Sequence, residues 1–261
     1  MGNFEFKKKF GQNFLSDESL LDDIVEQAGV TSDDIVVEIG AGKGALTNAL
    51  LKRAKSVISF EIDLDLKDYL LNKFNGQNVH FVFDDVMNWT DEKINDLVGE
   101  KFKLVANLPY YVTSPIITRF LQNKNLLSLT VMVQEEVADR IIAKPKTKDY
   151  GVLTIICQLY GNPSKVLRVG REKFYPVPNV DSAVVRIDKN DEGKRDYAGV
   201  ISLAKQAFAM RRKKLSSNLE SKKLTKEELE NLFKQRGFGD AVRAEELGVN
   251  DFVWLYDELK K

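Results

Sequence analysis

A chain of 261 residues with 43% hydrophobic content can bury one sizeable core and carry a smaller second unit beside it. Its 39 basic and 39 acidic residues cancel, so net charge gives no argument for a polyanionic partner, and any such argument has to come from local runs. One cysteine, Cys157, and one histidine, His80, exclude an internal disulfide and a histidine-rich metal site.

The opening segment MGNFEFKKKF has no apolar core of the kind a secretory signal needs, and Phe6 stands where a myristoylation pattern wants Ser or Thr. No apolar run approaches a membrane span. A cytoplasmic, metal-free protein without a membrane segment is expected. The next stretch, FGQNFLSDESLLDDIVEQA, reads as a polar turn with Ser16 capping a helix.

From residue 34 short β-branched apolar runs alternate with helical stretches. DIVVEIG, SVISFEID, NVHFVFDDV, FKLVANL and LSLTVMVQ read as strands; GALTNALLKRA, LKDYLLNKF, TDEKINDLV, SPIITRFLQN and EEVADRIIA read as helices. Near-continuous apolar strands, each followed by an amphipathic helix, predict a buried parallel sheet covered on both faces. The fold class is therefore α/β, a doubly wound, Rossmann-like domain.

After about residue 150 the rhythm changes. YGVLTIICQLYG is ambiguous between helix and strand, KVLRV and SAVVRI read as strands, and FYPVPNVD between them is a proline-punctuated loop. Residues 197–215, 225–236 and 250–260 read as helices, with RGFGD as a turn and a charged linker near 188–196. The expected division is a Rossmann-like domain over 1–188 and a small helical C-terminal domain over 189–261.

The first strand runs straight into EIGAGKGALT, where Gly40, Gly42 and Gly44 let backbone approach a ligand at a strand's carboxyl end. A nucleoside-containing cofactor is the natural reading. The order Gly40-x-Gly42-x-x-Ala45 also fits the dinucleotide fingerprint, and Glu61 in FEID suits ribose hydroxyls in an NAD or an S-adenosylmethionine site alike. A P-loop is excluded because Gly44, not Ser or Thr, follows Lys43. Two features favour S-adenosyl-L-methionine: Glu38 ahead of the glycines, and the acid pair Asp84-Asp85 at the third strand end, suited to an adenine amino group. The bland alternative is a tight strand-to-helix turn with acids capping helices.

The fourth strand delivers Asn107-Leu108-Pro109-Tyr110. Pro109 removes a backbone donor, so the chain must leave the sheet there and expose the residues after it. Adenine's exocyclic nitrogen is a poor nucleophile because its lone pair is delocalised into the ring. An Asn107 carboxamide oxygen and the Leu108 carbonyl beside Pro109 would accept its two protons, while the Tyr110 ring fixes the base plane. Taken alone, Asn107 is equally a turn residue and Tyr110 a rim aromatic.

At this point five blocks in order, FGQNFL (10–15), EIGAGKGALT (38–47), NLPYYVTSP (107–115), FYPVPNVDSAVVRI (174–187) and FAMRRKKLSSNL (208–219), resemble the ribosomal RNA adenine N6-dimethyltransferase family. The likeness runs from about residue 6 to the C-terminus and lies nearest the housekeeping small-subunit branch, with the antibiotic-resistance branch acting on large-subunit RNA as the alternative. Ala41 and Lys43 stand where many relatives have Pro and Leu. The resemblance implies that Asn13 and Leu15 join Gly40, Glu61, Asp85 and Asn107 in holding S-adenosyl-L-methionine, with Glu61 at the ribose, Asp85 at the adenine and Gly40 near the methionine part. It implies that Phe174 closes the target base against Tyr110; otherwise Phe174 is a buried ring beside a proline loop. The implied substrate is small-subunit rRNA within an immature ribosomal subunit, at two adjacent adenines of a 3′-terminal hairpin, and the implied state is a monomer.

Between 205 and 223 seven basic residues face Glu220 alone. Arg211, Arg212, Lys213 and Lys214 are the candidate phosphate contacts, with the lysines at 7–9, Arg168 and Arg171 in support. Two rivals come from other classes. An NAD-dependent oxidoreductase would use the same glycine loop but lacks a hydride-transfer acid or base at a strand end, and a non-catalytic RNA-binding role would leave Asn107 and Tyr110 unexplained.

Overall fold

The computed structural model describes residues 14–15, 17–190, 195–221 and 224–260. They form two compact units: residues up to Ala138 together with Gly161–Asn190, and Asp139–Tyr160 together with the chain from Asp191 onward.

The first unit opens with a two-residue strand β1 (Phe14–Leu15) and helix α1 (Glu18–Gln27). The side chain that caps α1 is Asp17, which accepts from Leu20 N at 3.2 Å; Ser16, the expected cap, lies outside the described residues. There follow β2 (Ile35–Ile39), α2 (Ala45–Leu51), β3 (Ser56–Phe60), α3 (Lys67–Lys73), β4 (Val79–Val82), α4 (Asp91–Val98), β5 (Phe102–Asn107), α5 (Thr113–Gln122), β6 (Leu126–Gln134) and α6 (Glu135–Ile142). Every residue of β2 is buried, as a strand covered on both faces requires. α4 shows why local chemistry sets element ends: Thr90 accepts from Lys93 N at its start and Gly99, at φ 77°, closes it.

The chain leaves this unit in α6, forms α7 (Val152–Tyr160) in the second, and returns as β7 (Gly161–Val169), β8 (Phe174–Tyr175) and β9 (Ser182–Lys189). The ambiguous stretch is thus helix to Tyr160 and strand from Gly161. Glycine is required at that junction, since an added Cβ would sit 2.5 Å from the Asp188 carbonyl oxygen.

The main sheet has seven strands in the order β4-β3-β2-β5-β6-β9-β7. β4 to β6 are parallel, and the chain order reverses between β2 and β5, the switch point of a doubly wound sheet. The parallel sheet expected from the strands before residue 150 is borne out, and the two strands after the change of rhythm extend it in the other sense: β9 runs antiparallel to β6 and β7 antiparallel to β9. The connection from β7 to β9 is the proline loop, which carries no α-helix to cross over the sheet, and it returns the chain beside β7 in the opposite sense. β7 is the edge strand, where Pro163 costs no ladder bond.

The second unit gathers α7 with α8 (Ala198–Ala207), α9 (Leu215–Leu219), α10 (Lys226–Gln235) and α11 (Val249–Glu258). α7 buries Thr154, Ile155, Ile156, Cys157 and Leu159, too much apolar surface for one face, and it packs on both α8 and α11. This explains why residues 139–160 cluster with the C-terminal helices, where the sequence drew a single boundary after 188. Tyr150 is fully buried and donates to the Leu247 carbonyl at 2.8 Å, and Phe208 lies between Tyr150 and Phe252 with ring centroids 6.1 Å from each.

The expected helix over 197–215 stops at Ala207. Asn218 from α9 donates to the Ala207 carbonyl at 2.6 Å and to the Met210 carbonyl at 3.1 Å, satisfying the acceptors a continued helix would have used. The run Met210–Lys214 is therefore a turn, not a helix face.

Candidate active site

The parallel registers pair Ile39 with Phe60, Phe60 with Val82 and Val37 with Leu104. Continued past the strand ends, they bring Glu61, Gly40 and Asn107 into one row. Neighbouring strands lie about 4.8 Å apart, so the carboxyl edge from β4 to β5 is about 14 Å wide, enough for an extended nucleoside joined to an amino acid. Gly40 donates to the Phe60 carbonyl at 2.8 Å with φ 83°, and a Cβ there would point at the Asn107 carbonyl oxygen from 3.7 Å. Gly44 answers a different demand: at φ 75° it starts α2, and a Cβ would strike the Phe74 ring at 2.4 Å.

Glu61 is 3% exposed. One of its oxygens accepts from Gly42 N at 2.7 Å and the other from Asp63 N at 2.8 Å. Burial raises its pKa against those two hydrogen bonds. A carboxylate has about four acceptor directions, so the group that shapes the glycine loop can still take ribose hydroxyls. Glu38, fully buried in β2, accepts from Thr47 Oγ1 at 2.6 Å and Ser59 Oγ at 2.7 Å on a single oxygen. Burial pushes its carboxyl up to about 7. Glu38 therefore ties β2 to α2 and β3 beneath the loop.

The acid pair divides its work. Asp84 accepts from Trp89 Nε1 at 3.0 Å and from Asp85 N at 2.7 Å; these bonds, Trp89 first, hold its carboxyl below the usual range. Trp89 meets Phe60 edge-on at 5.3 Å, so Asp84 braces the end of β3. Asp85 accepts from Met87 N at 2.9 Å through one oxygen, and its other oxygen has no hydrogen bond among the described residues. Asp85 caps a 3-10 turn and still offers an acceptor at the strand end.

Asn107 ends β5 half-buried, and its carboxamide has no hydrogen bond among the described residues. Leu108 is buried and its N–H reaches the Met132 carbonyl at 3.4 Å. The Pro109 carbonyl is taken by Val112 N and Thr113 Oγ1, both at 3.2 Å. Of the two carbonyls flanking the proline bond, that of Leu108 is then the one to consider as an acceptor. Tyr110 begins a 3-10 turn, half-buried, with its hydroxyl 3.1 Å from Ser182 Oγ. Ser182 was missed in the sequence, although VDS stands at the end of the proline loop; nothing local marks which serine will meet a ring 72 residues away.

Phe174 is 4% exposed and belongs to the buried cluster that includes Leu15, Met132, Val169 and Val184. Leu15 pairs with Phe174 across β1 and β8 and is itself buried. Both side chains are core residues in this conformation, while Tyr175 next door is 67% exposed. Asn13 lies outside the described residues, as do the lysines at 7–9. Asp181 fixes the end of the proline loop, accepting from Arg168 Nη2 and Arg171 N, both at 3.1 Å, while its carbonyl accepts from Glu135 N at 3.0 Å.

The four basic candidates of the second unit are not equivalent. Arg211 donates to the Lys148 carbonyl at 2.9 Å and to Glu245 at 3.1 Å, with its guanidinium 5.9 Å from the Phe208 ring. Its charge is committed inside the helical unit. Lys214 lies 3.7 Å from Glu230. Arg212 and Lys213 are exposed with no side-chain partner among the described residues. No group of acids, histidines or cysteines with metal-holding geometry and no helix long and apolar enough to cross a membrane occurs among the described residues.

A doubly wound sheet with a left-handed glycine turn after its first parallel strand, a buried acid at the next strand end and an unpartnered amide on the strand beyond has the form of a nucleoside-cofactor methyltransferase. Comparison with known proteins makes this specific. The profile of the family described as ribosomal RNA adenine dimethylase matches residues 3–261, and the chain belongs to that family. The chain is 42% identical to the ribosomal RNA small subunit methyltransferase A of Clostridium acetobutylicum over 98% of this chain and 95% of the relative. It is 43% identical to the protein so named from Clostridium botulinum strain Kyoto, over 97% and 94%. Among solved structures, a dimethyladenosine transferase from Plasmodium falciparum aligns with TM-score 0.81 and 26% identity over 95% of this chain and 97% of that one. The 23S rRNA methyltransferase ErmE aligns with TM-score 0.73 and 28% identity over 95% and 100%. The chain is thus an S-adenosylmethionine-dependent rRNA adenine dimethyltransferase.

Proposed function

We propose that this enzyme dimethylates N6 of two adjacent adenosines in the 3′-terminal hairpin loop of small-subunit rRNA, on an immature ribosomal subunit in the cytoplasm, acting as a monomer. The observation that carries the chemistry is the Asn107 carboxamide, unpartnered among the described residues at a strand end beside Gly40. The choice of small-subunit RNA is supported by the whole-chain similarity to the clostridial small-subunit enzymes.

The residues present fit the cofactor. Gly40, at φ 83°, keeps the backbone bare where a side chain would stand, Glu61 keeps acceptor capacity for a ribose, and Asp85 keeps an acceptor oxygen for an amino group. Bound there, S-adenosyl-L-methionine supplies an electrophilic methyl carbon on a positively charged sulfur. Leu15 and Asn13 are assigned to the same site by the family likeness, Leu15 as an apolar wall.

Asn107 Oδ1 and the Leu108 carbonyl each accept one proton of the adenine amino group, which draws nitrogen's lone pair out of conjugation and aims it. No strong base is needed, because a proton becomes acidic once nitrogen has gained the methyl, and it leaves to acceptor oxygen or solvent. Tyr110 stacks on the base, and Phe174 forms the buried wall opposite. Aromatic stacking of roughly 1–3 kcal/mol per base offsets the cost of taking an adenine out of an RNA stack. Holding the nitrogen at about 3–3.5 Å from its target supplies much of the rate. Arg212 and Lys213 contact phosphates, with Lys214 and Arg211 in weaker support.

The test is transfer of labelled methyl to immature small subunits, large-subunit RNA and DNA, followed by digestion. Dimethyladenosine from small subunits alone is expected. Label in large-subunit RNA alone would transfer the assignment to the other branch of the family.

A further inference from the structure

We propose that Ser182 is a positioning residue for methyl transfer: its hydroxyl, at the head of β9, sets the ring orientation of Tyr110 and so the plane in which the target base is held. The inference rests on the reading of Tyr110 as the stacking ring.

Ser182 is fully buried and is followed by Ala183, Val184 and Val185, all buried as well. A hydroxyl in such a strand is unfavourable unless it finds a partner, and its side-chain partner among the described residues is Tyr110 Oη at 3.1 Å. Its backbone is held on both sides, opposite Gln134 of β6 and Val169 of β7. Asp181 just before it is fixed through Arg168, Arg171 and the Glu135 amide. Ser182 is therefore a rigid anchor.

Tyr110 is the opposite kind of residue. It sits in a single 3-10 turn, Tyr110–Val112, with no buried member, and Tyr111 beside it is 60% exposed. Backbone alone leaves such a ring free to swing. A phenol hydroxyl keeps its hydrogen in the ring plane because its oxygen lone pair is conjugated with the ring, so a fixed partner selects ring rotation as well as ring position. Tilting the platform tilts the base, and a displacement of about 1 Å at the reacting atom can cost about 100-fold in rate.

The experiment compares Ser182→Ala, Tyr110→Phe, the double variant and Tyr110→Ala by steady-state methyl transfer to immature small subunits, with cofactor affinity and melting temperature measured in parallel. A hydrogen bond of ordinary strength predicts that Ser182→Ala and Tyr110→Phe each lower kcat about 10-fold, with cofactor Kd within about 2-fold of the parent. The double variant should be no slower than either single one, since both remove one interaction. Tyr110→Phe leaves β9 untouched and so carries the test even if Ser182→Ala folds poorly. Inactive Tyr110→Ala with normal turnover of Ser182→Ala and Tyr110→Phe would overturn the positioning role alone, as would additive losses in the double variant. Normal turnover of Tyr110→Ala would instead overturn the stacking reading.

Discussion

Glu61, at the end of β3, holds the Gly42 amide of the neighbouring glycine loop at 2.7 Å. One buried carboxylate thus shapes the glycine loop, and in the proposed site its remaining acceptor directions would serve the ribose of the cofactor. Glu61→Ala should therefore do two things: weaken cofactor binding by roughly 10- to 100-fold and lower stability by about 1–3 kcal/mol, because the buried Asp63 N–H and the part-buried Gly42 N–H lose their acceptor. Isothermal titration and chemical denaturation on the same preparation check both.

Asn107→Ala should abolish methyl transfer while leaving cofactor affinity within a few-fold, since the carboxamide has no hydrogen bond among the described residues to lose. Single-turnover transfer and a binding titration separate the two effects. Near-normal turnover would remove Asn107 from the chemistry.

Glu38 gives a pH signature. Its carboxyl is pushed up to about 7 by burial, above the unfolded value near 4.5, so the folded state binds the extra proton between those values. Its contribution is full below about 4.5 and is lost as pH rises through about 7, amounting to roughly 3 kcal/mol. Melting curves from pH 4.5 to 8 should show this fall, and Glu38→Gln should flatten it.

Gly44→Ala should destabilise the first unit by a few kcal/mol, because the new Cβ meets the Phe74 ring at 2.4 Å in a left-handed backbone conformation. Thermal unfolding reads this directly. Gly76→Ala, at a similar φ of 78° but with nothing within 4 Å of the added Cβ, isolates the backbone part.

The basic turn separates binding from stability. Changing Arg212 and Lys213 together to Gln should weaken RNA binding and reduce the slope of log affinity against log salt by roughly 1 to 2, with unchanged melting temperature. Arg211→Gln should lower the melting temperature, because it removes contacts to Lys148, Glu245 and Phe208. Filter binding across a salt series checks the first expectation.

The parallel half of the sheet was readable because Ile35–Ile39 and Phe102–Asn107 carry β-branched and aromatic runs that end at glycine or proline. The placement of Asn107 and Glu61 in one row at neighbouring strand ends was readable for the same reason: a strand end fixes where a side chain emerges. The failures were tertiary in origin. The apolar run 152–160 has no periodicity that distinguishes a buried helix from a strand, and only its neighbours α8 and α11 decide. The basic run after Phe208 looks helical until Asn218 arrives to claim the carbonyls before it. Charge counting likewise could not see that Arg211 is already paired. Ser182 was invisible because its meaning lies in Tyr110, on a different strand end.

The path of the chain through α7 has one more result. Residues 139–160 leave the sheet and are followed at once by β7, and the chain crosses again after Asn190. No single cut can release a self-sufficient catalytic half: severing the backbone after 188 would strip α7 of α8 and α11 and leave an oily rod hanging from an internal loop. Domain exchange between relatives would have to move two separate pieces of gene at once.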